Sequence, residues 1–273
     1  MKKLNYSEIE KRIVSFLKKE AEKAKMEGYV IGISGGVDSA VVSTLAAKTG
    51  LKLYTIQMPI HQKNDEVGRA TNHVKWLMEN YPNVSAIDCE LTSAFDSFLS
   101  SVGKLEDKEK QHMAEANTRS RLRMVALYYH ASIKKCLVLG TGNKIEDFGI
   151  GFFTKYGDGG VDVSPIGDLM KSEVRELGKF MGISKEIVEA KPTDGLWDDG
   201  RGDEDQIGAT YDELEWAMEE CGYRSDEELY NMIERELFSE RKAKVLQIYL
   251  KRHNANIHKF MPIPVCIIND LRK

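Results

Sequence analysis

A glycine-rich turn with an embedded carboxylate is the segment of this chain best suited to chemistry. It consists of Gly32, Ile33, Ser34, Gly35, Gly36, Val37, Asp38 and Ser39. Two adjacent glycines let backbone amides approach a ligand closely, and a helix N-terminus behind them favours an anion. The serine hydroxyls add donors, so the turn predicts a phosphate cradle. Asp38 would repel phosphate unless Mg²⁺ bridges the carboxylate and the phosphate oxygens, so this residue predicts a metal site.

A second carboxylate and two lysines extend this prediction. Glu146 follows a later predicted strand, as Asp38 follows the first. Two carboxylates at neighbouring strand ends can hold Mg²⁺ against a triphosphate. Lys155 or Lys171 could then neutralise charge on a leaving pyrophosphate, and Thr141 could donate to a phosphate or a ribose. Taken singly, each of these residues is equally well explained as a solvated surface, cap or turn residue.

The elements that must position these residues are indicated by hydrophobic periodicity. Apolar runs predict strands at 29–33, 51–58, 84–88 and 136–140, with a possible short fifth at 162–165. Stripes at helical spacing predict helices at 65–80, 108–132 and 171–181, and Ser7-x-x-Glu10 predicts a capping box for a first helix. This alternation predicts an α/β fold, a Rossmann-like doubly wound parallel sheet of about five strands, with added helices after residue 183.

Composition excludes several classes of protein. The chain has 273 residues, a net charge of −4, 42% hydrophobic and 30% charged residues. We expect a folded single domain over 1–273 with no membrane span and no secretory signal. The acidic balance argues against a nucleic-acid partner. Four scattered cysteines without metal-ligand spacing fit a cytoplasmic location.

Two other interpretations of the glycine-rich turn remain open from the residues alone. Residues 32–36 satisfy G-x-S-x-G, the nucleophile elbow of α/β-hydrolases, with Ser34 as nucleophile. That motif does not need Asp38 or Ser39. The second alternative is a plain strand-to-helix turn with a glycine pair. A Walker A loop and a dinucleotide fingerprint do not match, because GK[ST] and GxGxxG are absent from the turn.

The sequence SGGVDS at residues 34–39 is similar to the phosphate loop of the PP-loop ATP pyrophosphatases. Later segments resemble one member family, the NAD synthetases. They are LGTGNKIE at 139–146, GFFTKYGDGG at 151–160, PIGDLMK at 165–171 and KPTDGLW at 191–197. The FTKYGDGG element is the most specific of these.

The resemblance implies an adenine nucleotide α-hydrolase-like fold and a ligase. The reaction it implies is ATP-dependent adenylation of the nicotinic carboxylate of deamido-NAD. Ammonia then displaces AMP to give NAD, and pyrophosphate is released. The resemblance spans almost the whole chain, so we expect no separate glutamine-hydrolysing domain and free ammonia as the nitrogen source. It also implies a homodimer, with Mg²⁺ as the cofactor.

Residue roles follow from the same resemblance. Asp158 matches an acid near the incoming ammonia and Lys171 a catalytic lysine. The implied ATP-binding residues are those of 32–39 with Thr141, Lys171 and Thr193. The implied metal ligands are Asp38 and Glu146. The implied deamido-NAD contacts are Arg121, Lys155, Asp162, His258 and Lys259, with Arg121 matched through the Arg121-x-Arg123-Met124 pattern.

The sequence departs from the common bacterial pattern at two places. The segment 146–152 is slightly longer, and Asn143-Lys144 replaces an Asp-His pair. An acidic, glycine-rich loop at 198–205 is predicted to close over ATP. Rival functions are another PP-loop enzyme, such as a tRNA thiolase or another amidotransferase synthetase, and a non-catalytic nucleotide-binding regulator. The first expects a basic surface and a cysteine pair. The second does not need both Asp38 and Glu146.

Overall fold

The computed structural model describes residues 4–62, 64–103, 106–193 and 202–268. Its strands are β1 (Gly28–Gly32), β2 (Lys52–Gln57), β3 (Val84–Asp88) and β4 (Cys136–Val138). Its helices are α1 (Tyr6–Ala24), α2 (Val37–Ala47), α3 (Asn64–Asn80), α4 (Thr92–Val102), α5 (Lys108–Lys134), α6 (Lys171–Phe180), α7 (Lys185–Val188), α8 (Asp203–Ile207), α9 (Tyr211–Tyr223), α10 (Asp226–Glu234) and α11 (Glu240–Phe260). A π-helix spans Ile145–Ile150.

The four strands form one parallel sheet in the order β3-β2-β1-β4. This confirms the predicted parallel α/β fold. The segment predicted as a possible fifth strand makes a single parallel bridge, between Val163 and Leu139. Pro165 lacks the backbone N–H that a longer ladder would use, so the described sheet stays at four strands.

Helix α2 is the most deeply buried helix of the N-terminal half. Ten of its eleven residues are buried, including Val41, Val42 and Leu45. The helix carries small and apolar residues, mainly alanine and valine, on all of its faces. It needs them because it packs against β1 and β2 as well as α1 and α6. Its N-terminus, which carries the glycine-rich turn, is therefore held rigidly at the carboxyl end of β1.

A second core joins the C-terminal helices to the π-helix. It contains Ile145 and Ile150 of the π-helix, Leu214 of α9 and Leu246 of α11, all 0% exposed. The loop and helix character predicted after residue 183 is confirmed, and this core attaches those helices to the carboxyl edge of the sheet. In the described residues no helix has the length and apolar character to cross a bilayer.

The predicted cap of the first helix was wrong by two residues. The side chain of Asn5, rather than Ser7, accepts a hydrogen bond from the backbone N–H of Glu8 at 3.3 Å. The helix therefore begins at Tyr6. Asparagine and serine are about equally good N-caps, so the local pattern could not decide between them.

Candidate active site at the switch point of the sheet

The candidate site lies where the strand order reverses. The chain moves from β1 to β2 and β3 on one side and later crosses to β4 on the other. The loops after β1 and β4 diverge at this point and leave a crevice, where ligands bind in open parallel sheets. The glycine-rich turn follows β1, and the loop with Thr141 and Asn143 follows β4. The topology thus brings the two predicted halves of the site together.

The glycine-rich turn has the backbone of an anion cradle. Gly35 has a φ of +86°, a left-handed conformation that side chains disfavour. Gly36 is the N-cap of α2 and has no described side chain capping it, so the first amides of the helix remain available. The Ser34 Oγ accepts from Gly36 N at 3.2 Å and lies 3.1 Å from the Ser39 Oγ. Ser39 in turn donates to the Gly36 carbonyl at 3.0 Å, which ties the turn to the helix.

The remaining residues of the turn support this cradle from below. Ile33 is buried and its N–H donates to the Ile56 carbonyl at 3.0 Å, which extends the β1–β2 pairing by one bond. Val37, the first residue of α2, is buried in the core. A Cβ on Gly32 would lie 2.9 Å from the Met58 side chain, so this position favours the smallest residue.

A buried ion triad stands in front of the turn. The Lys171 Nζ donates to Asp38 Oδ2 at 2.5 Å and to Glu146 Oε1 at 2.9 Å. Lys171 is 4% exposed. Burial by itself would lower the pKa of Lys171, but the Asp38 and Glu146 carboxylates outweigh it and raise that pKa. The lysine is therefore a permanent cation shared by the two predicted metal ligands.

Asn143 organises the carboxylates and was not assigned a role from the sequence. It is fully buried, and its side-chain amide donates to Asp38 Oδ1 at 3.3 Å. Its side-chain oxygen accepts from the backbone N–H of Ile145 and Glu146, both at 3.2 Å. It thereby starts the π-helix that carries Glu146, an element frequent at functional sites. The only sequence signal was its departure from the common Asp-His pair.

Tyr211 and Glu215 were also missed by the sequence interpretation. The Tyr211 hydroxyl donates to Glu146 Oε1 at 2.5 Å, and the ring lies 4.9 Å from Lys171 Nζ. Glu215, one turn further along α9, accepts from Ser172 N and Ser172 Oγ at 2.8 and 2.6 Å. The available signal was a capping box, Thr210 with Glu213, that starts α9 after the acidic loop.

Asp158 sits in the tight turn predicted around it. Its Oδ1 accepts from Ser120 Oγ at 2.6 Å and from Thr154 N at 3.0 Å. The residue as a whole is exposed, but burial of its carboxyl group raises the pKa of Asp158. The hydrogen bonds from Ser120 and Thr154 lower this pKa and only partly offset the effect of burial. A Cβ on Gly157 would approach Ser120 Oγ to 2.2 Å, so glycine permits this contact.

Asp147 adds a further carboxylate to the same region. Burial, followed by the charges of Glu146, Asp158 and Asp38, raises the pKa of Asp147 well above its usual range. Burial and repulsion favour the neutral form of Asp147, so the negative charge of the crevice comes from Asp38 and Glu146, with Lys171 as a compensating cation between them. Such a field favours cationic ligands over anions unless a cation accompanies them.

The predicted dinucleotide contacts cluster where α11 meets the 151–160 loop. Lys259 Nζ donates to the carbonyls of Gly151 and Phe153, both at 2.8 Å. Lys155 Nζ donates to the His258 carbonyl at 2.7 Å, and the His258 side chain is exposed. These lysines clamp the loop to the end of α11 in this structure.

The other predicted contacts lie around this clamp or on its margins. Arg121 is exposed, and its Nε donates to the Lys155 carbonyl at 3.3 Å. Asp162 accepts from Val138 N at 2.8 Å and from the Tyr128 hydroxyl at 3.0 Å, so it supports the end of β4. Thr141 is half-buried on the loop after β4, and Thr193 is exposed. Residues 194–201, which include part of the predicted closing loop, lie outside the described residues.

The donor set fits a divalent cation shared with a ligand. In the described ranges, no three His, Cys, Asp or Glu side chains converge as a complete metal cage. Asp38 and Glu146 do converge, since both contact one ammonium group within 2.9 Å. Mg²⁺ commonly binds through one or two carboxylates plus phosphate oxygens of a substrate. The two residues therefore fit Mg²⁺ carried by a triphosphate.

Fold and site together define a doubly wound α/β protein with a glycine-rich turn and paired carboxylates at its switch point. The NAD synthase family model matches residues 9–260, and the chain belongs to that family. It is 39% identical to the NH(3)-dependent NAD(+) synthetase of Mesoplasma florum over 81% of this chain and 87% of the relative. It is 33% identical to the enzyme of that name from Methanococcoides burtonii over 95% of each chain.

A solved structure has a similar fold over almost the whole chain. NMN synthetase from Francisella tularensis superposes with a TM-score of 0.81 at 31% identity, covering 97% of this chain and 100% of that one. Membership of this family contradicts the α/β-hydrolase interpretation of residues 32–36.

Proposed function

We propose that this chain is a ligase that amidates the nicotinic carboxylate of deamido-NAD with ammonia to give NAD. ATP adenylates the carboxylate, and AMP and pyrophosphate are released. The observation that carries the proposal is the buried Asp38–Lys171–Glu146 triad at the phosphate turn of a chain in the NAD synthase family. The relatives named NH(3)-dependent NAD(+) synthetase support ammonia as the nitrogen donor. Residues 1–273 are proposed to act as one synthetase domain.

In this proposal the glycine-rich turn binds the ATP phosphates. The open α2 N-terminus and the Ser34 and Ser39 hydroxyls supply donors. Thr141 and Thr193 are proposed to contact the nucleotide from the neighbouring loops. Asp38 and Glu146 are the proposed ligands of Mg²⁺, which when bound would offset the charge of the triphosphate.

Lys171 is proposed to stabilise the charge that develops on the phosphates. It is a cation at every relevant pH because its carboxylate partners raise its pKa. Its ammonium group donates hydrogen bonds to both Asp38 and Glu146. When ATP binds, phosphate oxygens are proposed to replace these carboxylates as hydrogen-bond acceptors of Lys171. A preorganised cation of this kind acts where water is excluded, and it costs little reorganisation during the reaction.

Asp158 is proposed to accept a proton from ammonium and so generate the nucleophile ammonia. Its raised pKa brings it closer to the range where a general base works efficiently. Ser120 and Thr154 hold its Oδ1, which fixes the direction of the other oxygen. The charge of Glu146 also acts on Asp158, and a negative field of this kind favours an approaching ammonium cation.

Arg121, Lys155, Asp162, His258 and Lys259 are proposed to bind deamido-NAD. The exposed Arg121 and His258 flank the loop that Lys155 and Lys259 clamp, which makes a basic margin beside the acidic crevice. A basic margin suits the pyrophosphate of a dinucleotide.

A homodimer is proposed as the working assembly. Val125, Tyr129 and Ile133 form a stripe on α5 at four-residue spacing, and they are 57%, 64% and 59% exposed. An exposed apolar stripe on a long helix suits helix packing between subunits. The cytoplasm is the proposed location, since four scattered thiols suit a reducing compartment.

A second candidate substrate is nicotinic acid mononucleotide, which would give NMN. The likeness to the Francisella tularensis NMN synthetase favours testing it. Both substrates present the same nicotinic carboxylate, so the chemistry at Asp38, Lys171 and Asp158 would not differ. The adenylate half of deamido-NAD is the part that distinguishes them.

One assay tests the main proposal. Purified protein receives ATP, Mg²⁺ and ammonium with either deamido-NAD or nicotinic acid mononucleotide, and NAD, NMN and AMP are quantified. We expect NAD and AMP in equal amounts with deamido-NAD, and no AMP without an acceptor. Asp38→Asn should abolish turnover while the far-UV spectrum stays unchanged. NMN formed at a higher kcat/KM than NAD would transfer the proposal to the mononucleotide, and absence of both products would refute it.

A further inference from the structure

Tyr211 is a buried residue of the C-terminal helices that contacts both charged partners of the site. It is 1% exposed. Its hydroxyl donates to Glu146 Oε1 at 2.5 Å and makes a longer contact of 3.3 Å with Asp203 Oδ2. The centre of its ring lies 4.9 Å from Lys171 Nζ. It is the first residue of α9, 65 positions after Glu146 in the chain. One side chain therefore touches a proposed metal ligand and the proposed catalytic cation at the same time.

The hydroxyl and the ring act on different groups. The hydroxyl bond and the Lys171 bond both fall on Oε1 of Glu146, so they hold that oxygen from two sides. The ring supplies a cation–π contact that holds the ammonium group in front of the aromatic face. Loss of the hydroxyl should therefore disturb Glu146 more than Lys171, whereas loss of the ring should disturb both.

Tyr211 is itself held firmly. Its backbone N–H donates to Glu204 Oε1 at 3.0 Å. The preceding residue, Thr210, is an N-cap whose capping box with Glu213 is complete. Arg241 of α11 binds both oxygens of Glu213, at 2.6 and 2.5 Å. Because this helix start is fixed on several sides, the Tyr211 side chain can impose a position on Glu146 instead of following it.

Glu215 holds the backbone next to Lys171, at the start of α6. It lies one turn after Tyr211, on the same face of α9. It accepts from the N–H and the hydroxyl of Ser172, at the first turn of the helix that Lys171 begins. Helix α9 thus fixes both the side chain and the helix start of Lys171.

We propose that Tyr211 is a positioning residue that sets the affinity of the site for a divalent cation, its hydroxyl orienting Glu146 and its ring orienting Lys171. This inference rests on the proposed function, because it takes Glu146 as a metal ligand and Lys171 as catalytic. Residues that orient metal ligands typically change metal affinity or activity by about 10–100-fold when they are lost.

The test compares Tyr211→Phe with Tyr29→Phe. Tyr29 is also fully buried, and its hydroxyl donates to the Leu17 carbonyl at 2.5 Å, in the core between α1 and β1. The control loses a buried tyrosine hydrogen bond of the same length, here to a neutral backbone carbonyl, away from the switch point. Binding of Mn²⁺ is measured by electron paramagnetic resonance in the presence of a non-hydrolysable ATP analogue. Steady-state kinetics are then measured as Mg²⁺ is varied.

We expect Tyr211→Phe to bind Mn²⁺ about tenfold more weakly and to need about tenfold more Mg²⁺ for half-maximal kcat. The KM for deamido-NAD should stay within about twofold, because Glu146 is not among the proposed contacts of that substrate. Tyr29→Phe should match the wild type in both readouts. Tyr211→Leu should lose further kcat at saturating Mg²⁺, since the cation–π contact with Lys171 is also gone.

Mn²⁺ affinity of Tyr211→Phe within about twofold of the wild type would overturn the proposal. An equal loss of affinity in Tyr29→Phe would also overturn it, because the effect would then be general. If Tyr211→Leu does not fold, the comparison of the two phenylalanine variants still decides. A wild type that binds Mn²⁺ with the analogue but forms neither NAD nor NMN would refute the proposed function and leave the positioning test intact.

Discussion

Replacement of Lys171 by methionine should convert the protein into one whose stability depends on Mg²⁺. In the native structure the ammonium group contacts Asp38 at 2.5 Å and Glu146 at 2.9 Å. The lysine side chain is 5% exposed and each carboxylate side chain is 15% exposed. Methionine preserves the volume of the stem but removes the only described cation between the two carboxylates.

The magnitude follows from the burial of the triad. Removing one partner of a buried ion pair typically costs about 3–5 kcal/mol, because the remaining charge is left without compensation. Here two carboxylates are left together, so the cost lies at the upper end at neutral pH. A divalent cation at about 100 times its Kd would return about 2.7 kcal/mol. The wild type should gain much less from Mg²⁺ alone, since Lys171 already occupies the point where the carboxylates converge.

The pH dependence has a definite sign. Without Lys171, burial and mutual repulsion raise the pKa of Asp38 and Glu146 above their unfolded values. A carboxylate whose pKa is raised in the folded state destabilises the protein above its unfolded pKa of about 4, and the full penalty is reached at the folded pKa. This penalty is lost as pH falls from the folded pKa to the unfolded one. The stability deficit of Lys171→Met should therefore shrink as pH falls from about 7 towards about 4.

Urea unfolding with and without Mg²⁺, at both ends of that pH range, measures these effects. NAD formation should be lost in Lys171→Met at every Mg²⁺ concentration. Lys144→Met is a matched control, because Lys144 pairs with the 96% exposed side chain of Asp168 at the surface. If Lys171→Met were as stable as the wild type at neutral pH, or if Mg²⁺ did not stabilise it, the account of the triad would be refuted.

Three further predictions address the fold and the remaining site residues. Burial lowers the pKa of His73 to about 4, so the folded state favours the neutral imidazole. This residue should therefore contribute up to about 3 kcal/mol to the free energy of unfolding above its unfolded pKa of about 6.5, and that contribution should be lost as pH falls from about 6.5 to about 4. In His73→Leu, the free energy of unfolding measured with urea should depend less steeply on pH in this range. An unchanged dependence on pH would mean that other groups cause the acid sensitivity. Gly35→Ala should cost about 1–2 kcal/mol at φ +86° and raise the KM for ATP, whereas Gly50→Ala, at φ +75° with open space around it, should cost stability alone; equal KM values in the two variants would contradict the phosphate role of the turn. Ser120→Ala removes a hydrogen bond that lowers the pKa of Asp158, so the acidic limb of the kcat profile at saturating ammonium should move to higher pH, and a stationary limb would argue against Asp158 as the base.

Local patterns in the sequence were sufficient for the order of the elements. Strand β3 was predicted with the observed bounds, Val84–Asp88, and helix α6 was predicted within one residue of its observed end. These elements follow from periodicity and breakers within short windows. The strand count was less accurate, because whether 162–165 forms a ladder depends on pairing with β4 rather than on its own residues.

The glycine-rich turn and the two carboxylates were also accessible from the sequence. A glycine pair, two serines and an aspartate between a strand and a helix carry their chemistry locally. Asp38 and Glu146 each follow a predicted strand, so both were expected at the carboxyl edge of a parallel sheet. That β4 pairs directly with β1, and so brings the two carboxylates together, was shown by the structure.

The partners that set the charge and direction of these groups were decided only by the tertiary structure. Lys171 is 133 residues from Asp38 and 25 from Glu146, Tyr211 is 65 from Glu146, and Ser120 is 38 from Asp158. No periodicity spans such separations, because hydrophobic patterning specifies which face of an element is buried and not which side chain it meets. The sequence by itself determined the glycine-rich turn between a strand and a helix and the parallel α/β class of the fold. The packing of the C-terminal helices against the π-helix decided how the carboxylates and the lysine are held.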